Sequence, residues 1–150
     1  MVAIPDSLAW ELTKKNTCFL RKKNGNTKRS GTITFSADKG NLKAINQFKY
    51  SGLANSKSIN IECTDDDRAQ LIVKTASKAH SHPSKGTATI PMNKDFRRVE
   101  GAIRKHAVDN YYRRDLEAAA LGKWTKVYQA NRRAKGIKKT VPCKKGRGSL

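Results

Sequence analysis

Acidic side chains are scarce in this chain: 12 Asp and Glu face 32 Lys and Arg over 150 residues, a formal charge of +20. A body with so little counter-charge repels itself and folds most readily beside a polyanion, of which nucleic acid is the obvious one. Long apolar runs are missing too. No stretch approaches the roughly 18 apolar residues of a spanning helix, and no apolar N-terminal region reads as a secretion signal, so a soluble intracellular protein is expected, with no membrane partner. Only three cysteines occur, Cys18, Cys63 and Cys143, an odd number at wide spacing that fits reduced thiols better than a disulfide frame. Catalytic signatures are also lacking: there is no nucleophile elbow, no Gly-rich phosphate cradle after a strand, and few carboxylates for proton transfer. His80 and His82 supply at most two ligands where zinc takes four. Asp65, Asp66 and Asp67 lack the Gly and Glu of a calcium loop and read as a turn. No enzyme, cofactor, metal or small-molecule substrate is expected.

What is present is one domain's worth of alternating and helical patterning. Asp6 or Ser7 can cap a short helix reaching about Lys14, with Leu8 and Leu12 one turn apart. CFLRK (18–22) turns extended, Asn24-Gly25 marks a turn, and TITF (32–35) is a strand with Ile33 and Phe35 on one face. Ile59, Ile61 and Cys63 alternate with polar residues before the three aspartates, and AQLIVK (69–74) returns as the partner of a hairpin. Residues 17 to 74 thus read as a mostly antiparallel sheet, interrupted by NLKAINQFKYSGLANSKSI (41–59). Residues 75–86 are a loop by composition. After an extended run Thr87 to Ile90, Asn93 is the expected cap of a helix whose Phe96, Val99, Ile103 and Ala107 share one face. A second helix over about Arg114 to Arg133 gathers Leu116, Ala120, Trp124, Val127 and Tyr128, with Lys123 intruding at the edge of that face. The fold class is α+β: a small mostly antiparallel sheet, a short N-terminal helix, two C-terminal helices and a basic tail. Its boundaries are a domain at 1–134 and a flexible tail at 135–150, where the apolar content is too low to fold alone.

Charge is distributed unevenly, net +7, +2 and +11 over successive thirds. The candidate RNA-binding residues are Arg21, Lys22, Lys23, Lys28 and Arg29 near the first strands; Arg97, Arg98, Arg104 and Lys105 opposite the apolar face of the first C-terminal helix; and Arg113, Arg114, Arg132 and Arg133 around the second. Lys138, Lys139, Lys144, Lys145 and Arg147 complete the set in the tail. One such cluster is an ordinary solvated surface. Together they are too many and too little compensated, because a cation set against a phosphate releases condensed counterion whereas in free solution it only repels its neighbours. Trp10, Phe96, Trp124 and Tyr128, at helical spacing with apolar residues, read as core rather than as base-stacking rings; the exposed aromatic candidates are Tyr111 and Tyr112. No helix-turn-helix, zinc finger, basic zipper or RNP consensus is present, so a large folded RNA suits the scattered charge better than a duplex groove.

The interrupting stretch carries a further signal. Asn41-Leu42, Phe48, Tyr50, Gly52-Leu53, Asn55 and Lys57 resemble the pattern of the eukaryotic large-subunit ribosomal protein family numbered twenty-eight. Leu8, Trp10, Asn16, Cys18, Phe19, Leu20 and Lys22 look like that family's opening, and Ile59 to Lys74 lies where its hairpin does. Tyr112, Arg113, Asp115, Leu116, Ala119 and Ala120 look like its second-helix entry, so the resemblance covers about residues 8 to 128. Gln47 stands where the family commonly has Ser, and Arg114 where it often has Pro. The resemblance implies a non-catalytic component of the cytosolic large (60S) ribosomal subunit, assembled in the nucleolus, that binds ribosomal RNA beside neighbouring ribosomal proteins. A related nucleolar assembly-factor family shares the opening pattern and is the alternative, with a general nucleic-acid-binding protein third. Within 41–59, Leu42, Phe48, Tyr50 and Leu53 are expected to pin the segment to the sheet, and Gly52 to permit a turn or a close backbone approach.

Overall fold

The alternation of Ile59, Ile61 and Cys63 against Ala69, Leu71 and Val73 becomes a regular antiparallel ladder, because matching periods place both apolar sets on one face. The computed structural model of the chain describes residues 4–24, 33–78 and 85–136, and of residues 22–24 the backbone alone. In chain order the elements are helix α1 (Asp6–Thr13), strands β1 (Leu20–Asn24), β2 (Ile33–Ser36), β3 (Ile59–Cys63), β4 (Ala69–Lys74) and β5 (Thr87–Pro91), then helices α2 (Phe96–Arg104) and α3 (Glu117–Ala134). Single 3-10 turns occupy Phe48–Tyr50, Ala76–Lys78 and Arg114–Leu116, and α2 runs on into a π-helical turn at Lys105–Asp109. The Gly25 side of the expected Asn24-Gly25 turn, residues 79–84 of the expected loop, and the tail beyond 136 lie outside the described residues.

The expected α+β architecture is present, with two corrections in its sheet. The strands form two antiparallel sheets, β1-β2 and β3-β4-β5, rather than one, and the run after residue 86 is the third strand of the larger. Between them, much of the backbone of 38–55 bonds to side chains instead of to a ladder. Asp38 accepts from the N–H groups of Gly40, Gly52 and Leu53. The Asn55 amide donates to the carbonyls of Phe48 and Ser51, and Asn41 to that of Ile45. Asn and Asp offer the chain this local alternative to sheet. Among the described residues Ile45 continues the smaller sheet, bridging to Phe35.

Both expected helix caps are displaced. Pro5 precedes α1 and Asp95 precedes α2, neither with a side-chain capping bond. Asp6 is drawn away to accept from the N–H and hydroxyl of Ser56, tying α1 to the 51–58 segment. Asn93 comes too early, because Met92 still donates to the Ala69 carbonyl and extends the sheet's reach.

The core lies between the three-stranded sheet and the two C-terminal helices. Ile59, Ile61, Leu71, Val99, Ile103, Leu116, Ala120 and Trp124 are all buried there, each large aliphatic side chain worth about 1.5–3 kcal/mol of burial. Phe96 and Tyr128 pack on Trp124 with ring centroids 5.9 and 5.7 Å away, and the indole N–H donates to the Phe96 carbonyl at 3.2 Å. Trp10, expected in the core, is instead half-buried against Phe48 at 6.0 Å, on a helix that leaves Leu8 and Leu12 exposed. Of the four side chains expected to pin 41–59, Leu42 is buried and Tyr50 packs on the core, but Phe48 and Leu53 are 41 and 42 % exposed. The Asp38 and Asn55 bonds hold that segment where apolar contact was expected to.

Candidate nucleic-acid interface

Two lysines are withdrawn from the surface charge by the fold itself. Lys74, at the end of β4, donates to the carbonyls of Gly52 and Asn55, both at 2.8 Å. Burial lowers its pKa, with Asp38 and Asp6 opposing that shift. Lys123 reaches from α3 to Asn60 Oδ1 at 2.6 Å, and burial likewise lowers its pKa against the attraction of Glu62. Its intrusion at the apolar face is therefore a crossing from helix to strand. These are structural cations.

The connector between α2 and α3 is anchored residue by residue. The Tyr112 hydroxyl donates to the Lys74 carbonyl and accepts from the Ser58 N–H at 3.1 Å, and burial raises its pKa above the ordinary 10.0. Tyr112 is half-buried, which corrects the expectation that it is exposed; a polar tip on an apolar ring is drawn inward once partners reach it. Arg113 donates to the Lys57 and Lys49 carbonyls, each at 2.7 Å, and to both oxygens of Asp115 at 2.8 and 2.9 Å. That forked bond holds the Asp115 carboxyl below its usual range. Only 15 % of the Arg113 side chain is exposed. Its bonds bring Lys49 and Lys57 beside the connector. Lys43 and Lys49 lie 5.2 and 5.9 Å from the Tyr50 ring centroid, and Lys57 lies 5.6 Å from that of Tyr112. Tyr111 is exposed as expected, with the Arg114 guanidinium 5.4 Å from its centroid.

On α2 the predicted division of faces holds: Val99 and Ile103 are buried while Arg97, Arg98, Arg104 and Lys105 are exposed. Arg98 pairs with Asp95 at 3.3 Å, and Arg104 with Glu100 at 2.9 Å and Glu117 at 3.5 Å. These are solvated pairs of small energy, easily exchanged for a phosphate. At the end of α3, Arg132 lies 5.8 Å from the Tyr128 centroid and Arg133 is exposed. Arg132 also lines an open cleft of about 330 Å³ with Arg68, Lys94, Lys135 and Tyr128, where the β3–β4 turn meets α3. Arg68 and Lys94 are far from Arg132 in sequence, so no run of charge marked this cleft. Arg21 is exposed on β1. The side chains of Lys22 and Lys23, and all of Lys28, Arg29, Lys138, Lys139, Lys144, Lys145 and Arg147, lie outside the described residues, as do His80, His82 and Cys143. Cys18 and Cys63 are free and exposed. Among the described residues no three His, Cys, Asp or Glu gather as a metal site, and no helix is long and apolar enough to cross a membrane.

The arrangement presents cations from four separated parts of the chain. The model of the Ribosomal L28e protein family matches residues 8–130, close to the span of the resemblance. Large ribosomal subunit protein eL28 of Dictyostelium discoideum is 32% identical over 131 residues, covering 85% of this chain and 89% of the relative. The protein of the same name from Caenorhabditis elegans is 35% identical over 89 residues, 59% of this chain and 64% of its own length. That of Schizosaccharomyces pombe is 23% identical over 141 residues, 91% and 99% of the two chains.

Proposed function

The chain belongs to the Ribosomal L28e protein family, and from that premise we propose that it clamps ribosomal RNA within the large subunit through phosphate contacts rather than by reading sequence. It is a structural protein of the large ribosomal subunit, at work in cytoplasmic ribosomes after assembly in the nucleolus. Its partners are the subunit's RNA and neighbouring ribosomal proteins. The observation that carries the clamp is the surplus of cations facing outward on a fold whose structural needs use few of them. Among the described residues ion pairs engage Lys14, Arg98, Arg104 and Arg113, against a chain-wide charge of +20. Phosphate contacts fix position and orientation without carrying sequence information, which suits cations spread over a strand, two helices and a tail.

Contact with roughly 6 to 10 phosphates predicts that affinity for isolated ribosomal RNA falls about 10³- to 10⁵-fold between 50 and 200 mM salt. A flat response would overturn the clamp. Stoichiometric co-sedimentation with mature large subunits is expected in parallel; recovery on precursor particles alone would make the protein an assembly factor.

A further inference from the structure

We propose that Tyr111 is a stacking platform for an unpaired RNA base, with the Arg114 guanidinium beside its ring. The proposal rests on the RNA-binding reading and goes beyond it, since a phosphate clamp needs no aromatic ring. Tyr111 is 76 % exposed. Its φ of +49° lies in the left-handed region that bulky side chains avoid, a strain that persists only where the surroundings impose it. Here they do. Its N–H donates to the Val108 carbonyl at 2.9 Å, and the next two residues are fixed by the Tyr112 hydroxyl and the Arg113 fork. The connector therefore turns one tyrosine ring inward and holds the preceding one out in solvent, where no part of the described fold packs on it beyond the Arg114 guanidinium.

An exposed ring on an immobilised backbone loses little freedom when a flat partner settles on it. Base stacking on such rings is tolerant of sequence and is reinforced by an adjacent Arg. The charge around it favours nucleic acid over a protein partner. Arg114 stands over the ring, Arg113 ties the backbone of Lys49 and Lys57 to the connector, and of the nearby acids Asp115 is occupied by Arg113 while Asp109 is exposed two residues before Tyr111.

The test compares binding of the wild-type protein, Tyr111→Ala and Tyr111→Phe to two RNAs of equal phosphate count, a hairpin with a loop of unpaired adenosines and a fully paired duplex. Stacking predicts that Tyr111→Ala weakens hairpin binding roughly 5- to 150-fold and leaves duplex binding and the salt slope unchanged, while Tyr111→Phe stays near wild type. Wild-type affinity of Tyr111→Ala for both RNAs, with a steep salt dependence intact, overturns the platform and leaves the clamp standing. A flat salt response of the wild type overturns the clamp instead. Should Tyr111→Ala lower the melting temperature, Tyr111→Gly, which suits the positive φ, takes its place with the same outcomes. A photo-crosslinker at position 111 in assembled subunits is expected to capture RNA; capture of a neighbouring protein would overturn the proposal.

Discussion

Gly52 and Gly40 touch backbone to backbone, and that contact sets what either position can carry. A Cβ built on Gly52 falls 2.4 Å from the Gly40 Cα, and one on Gly40 meets the Gly52 Cα at 2.6 Å. Neither neighbour is a flexible tip that could swing aside. The approach is held by Asp38, whose carboxylate accepts from Gly52 at 2.6 Å and from Gly40 at 3.0 Å. Gly52→Ala must part the two segments and strain those bonds, so a loss of about 1–3 kcal/mol in chemical denaturation is expected, as for other overpacked sites. A variant as stable as the wild type would show that the close approach is incidental. At this scale the sequence was partly legible: a glycine inside a patterned segment marks a close approach, but it does not name the partner.

Among the elements, the connector that joins α2 to α3 also fastens them to the hairpin. Tyr112 bonds to the end of β4 and to Ser58 just before β3. Tyr112→Phe leaves the Lys74 carbonyl and the Ser58 N–H without this partner, at a cost of about 1–3 kcal/mol near neutral pH. Burial raises the phenol's pKa in the folded state, so its contribution is fully present below the ordinary 10.0. It is lost as pH rises through the folded value, because the unfolded chain releases that proton first. Lys74 and Lys123 act oppositely: with pKa values lowered by burial, their penalty fades as pH approaches 10.5. The two alkaline effects oppose each other in the wild type, so the informative quantity is the stability difference between wild type and Tyr112→Phe. It is expected to shrink above about pH 10; a difference constant to pH 11 would show that the hydroxyl is not buried in the folded protein.

For the whole molecule, the core closes before the charge does. The core residues named above all precede Ala134, the last residue of α3, while residues 135–150 carry six basic residues and no acid. Deleting 135–150 is therefore expected to shift the melting temperature by no more than about 3 °C. The same deletion should reduce the salt slope of RNA binding by up to about 5 units, one for most of the lost cations. A large drop in melting temperature would place part of that segment in the folded body.

By itself the sequence determined the α+β class, the β3-β4 hairpin, both C-terminal helices with their buried faces, the basic face of the first, and the family. Each of these rests on local periodicity, on composition, or on residues readable in order. Tertiary structure alone decided that the strands split into two sheets, that Tyr112 turns in while Tyr111 stays out, and that Lys74 and Lys123 serve the fold while Lys49 and Lys57 stand beside the connector. The placing of Tyr112, Lys74, Lys123, Lys49 and Lys57 depends on bonds between residues 19 to 64 positions apart, and the sheet split on side chains of 38–55 whose partners no periodic pattern specifies. The apolar period predicts which face is buried, but the polar groups caught inside must then find partners wherever the packed chain brings them.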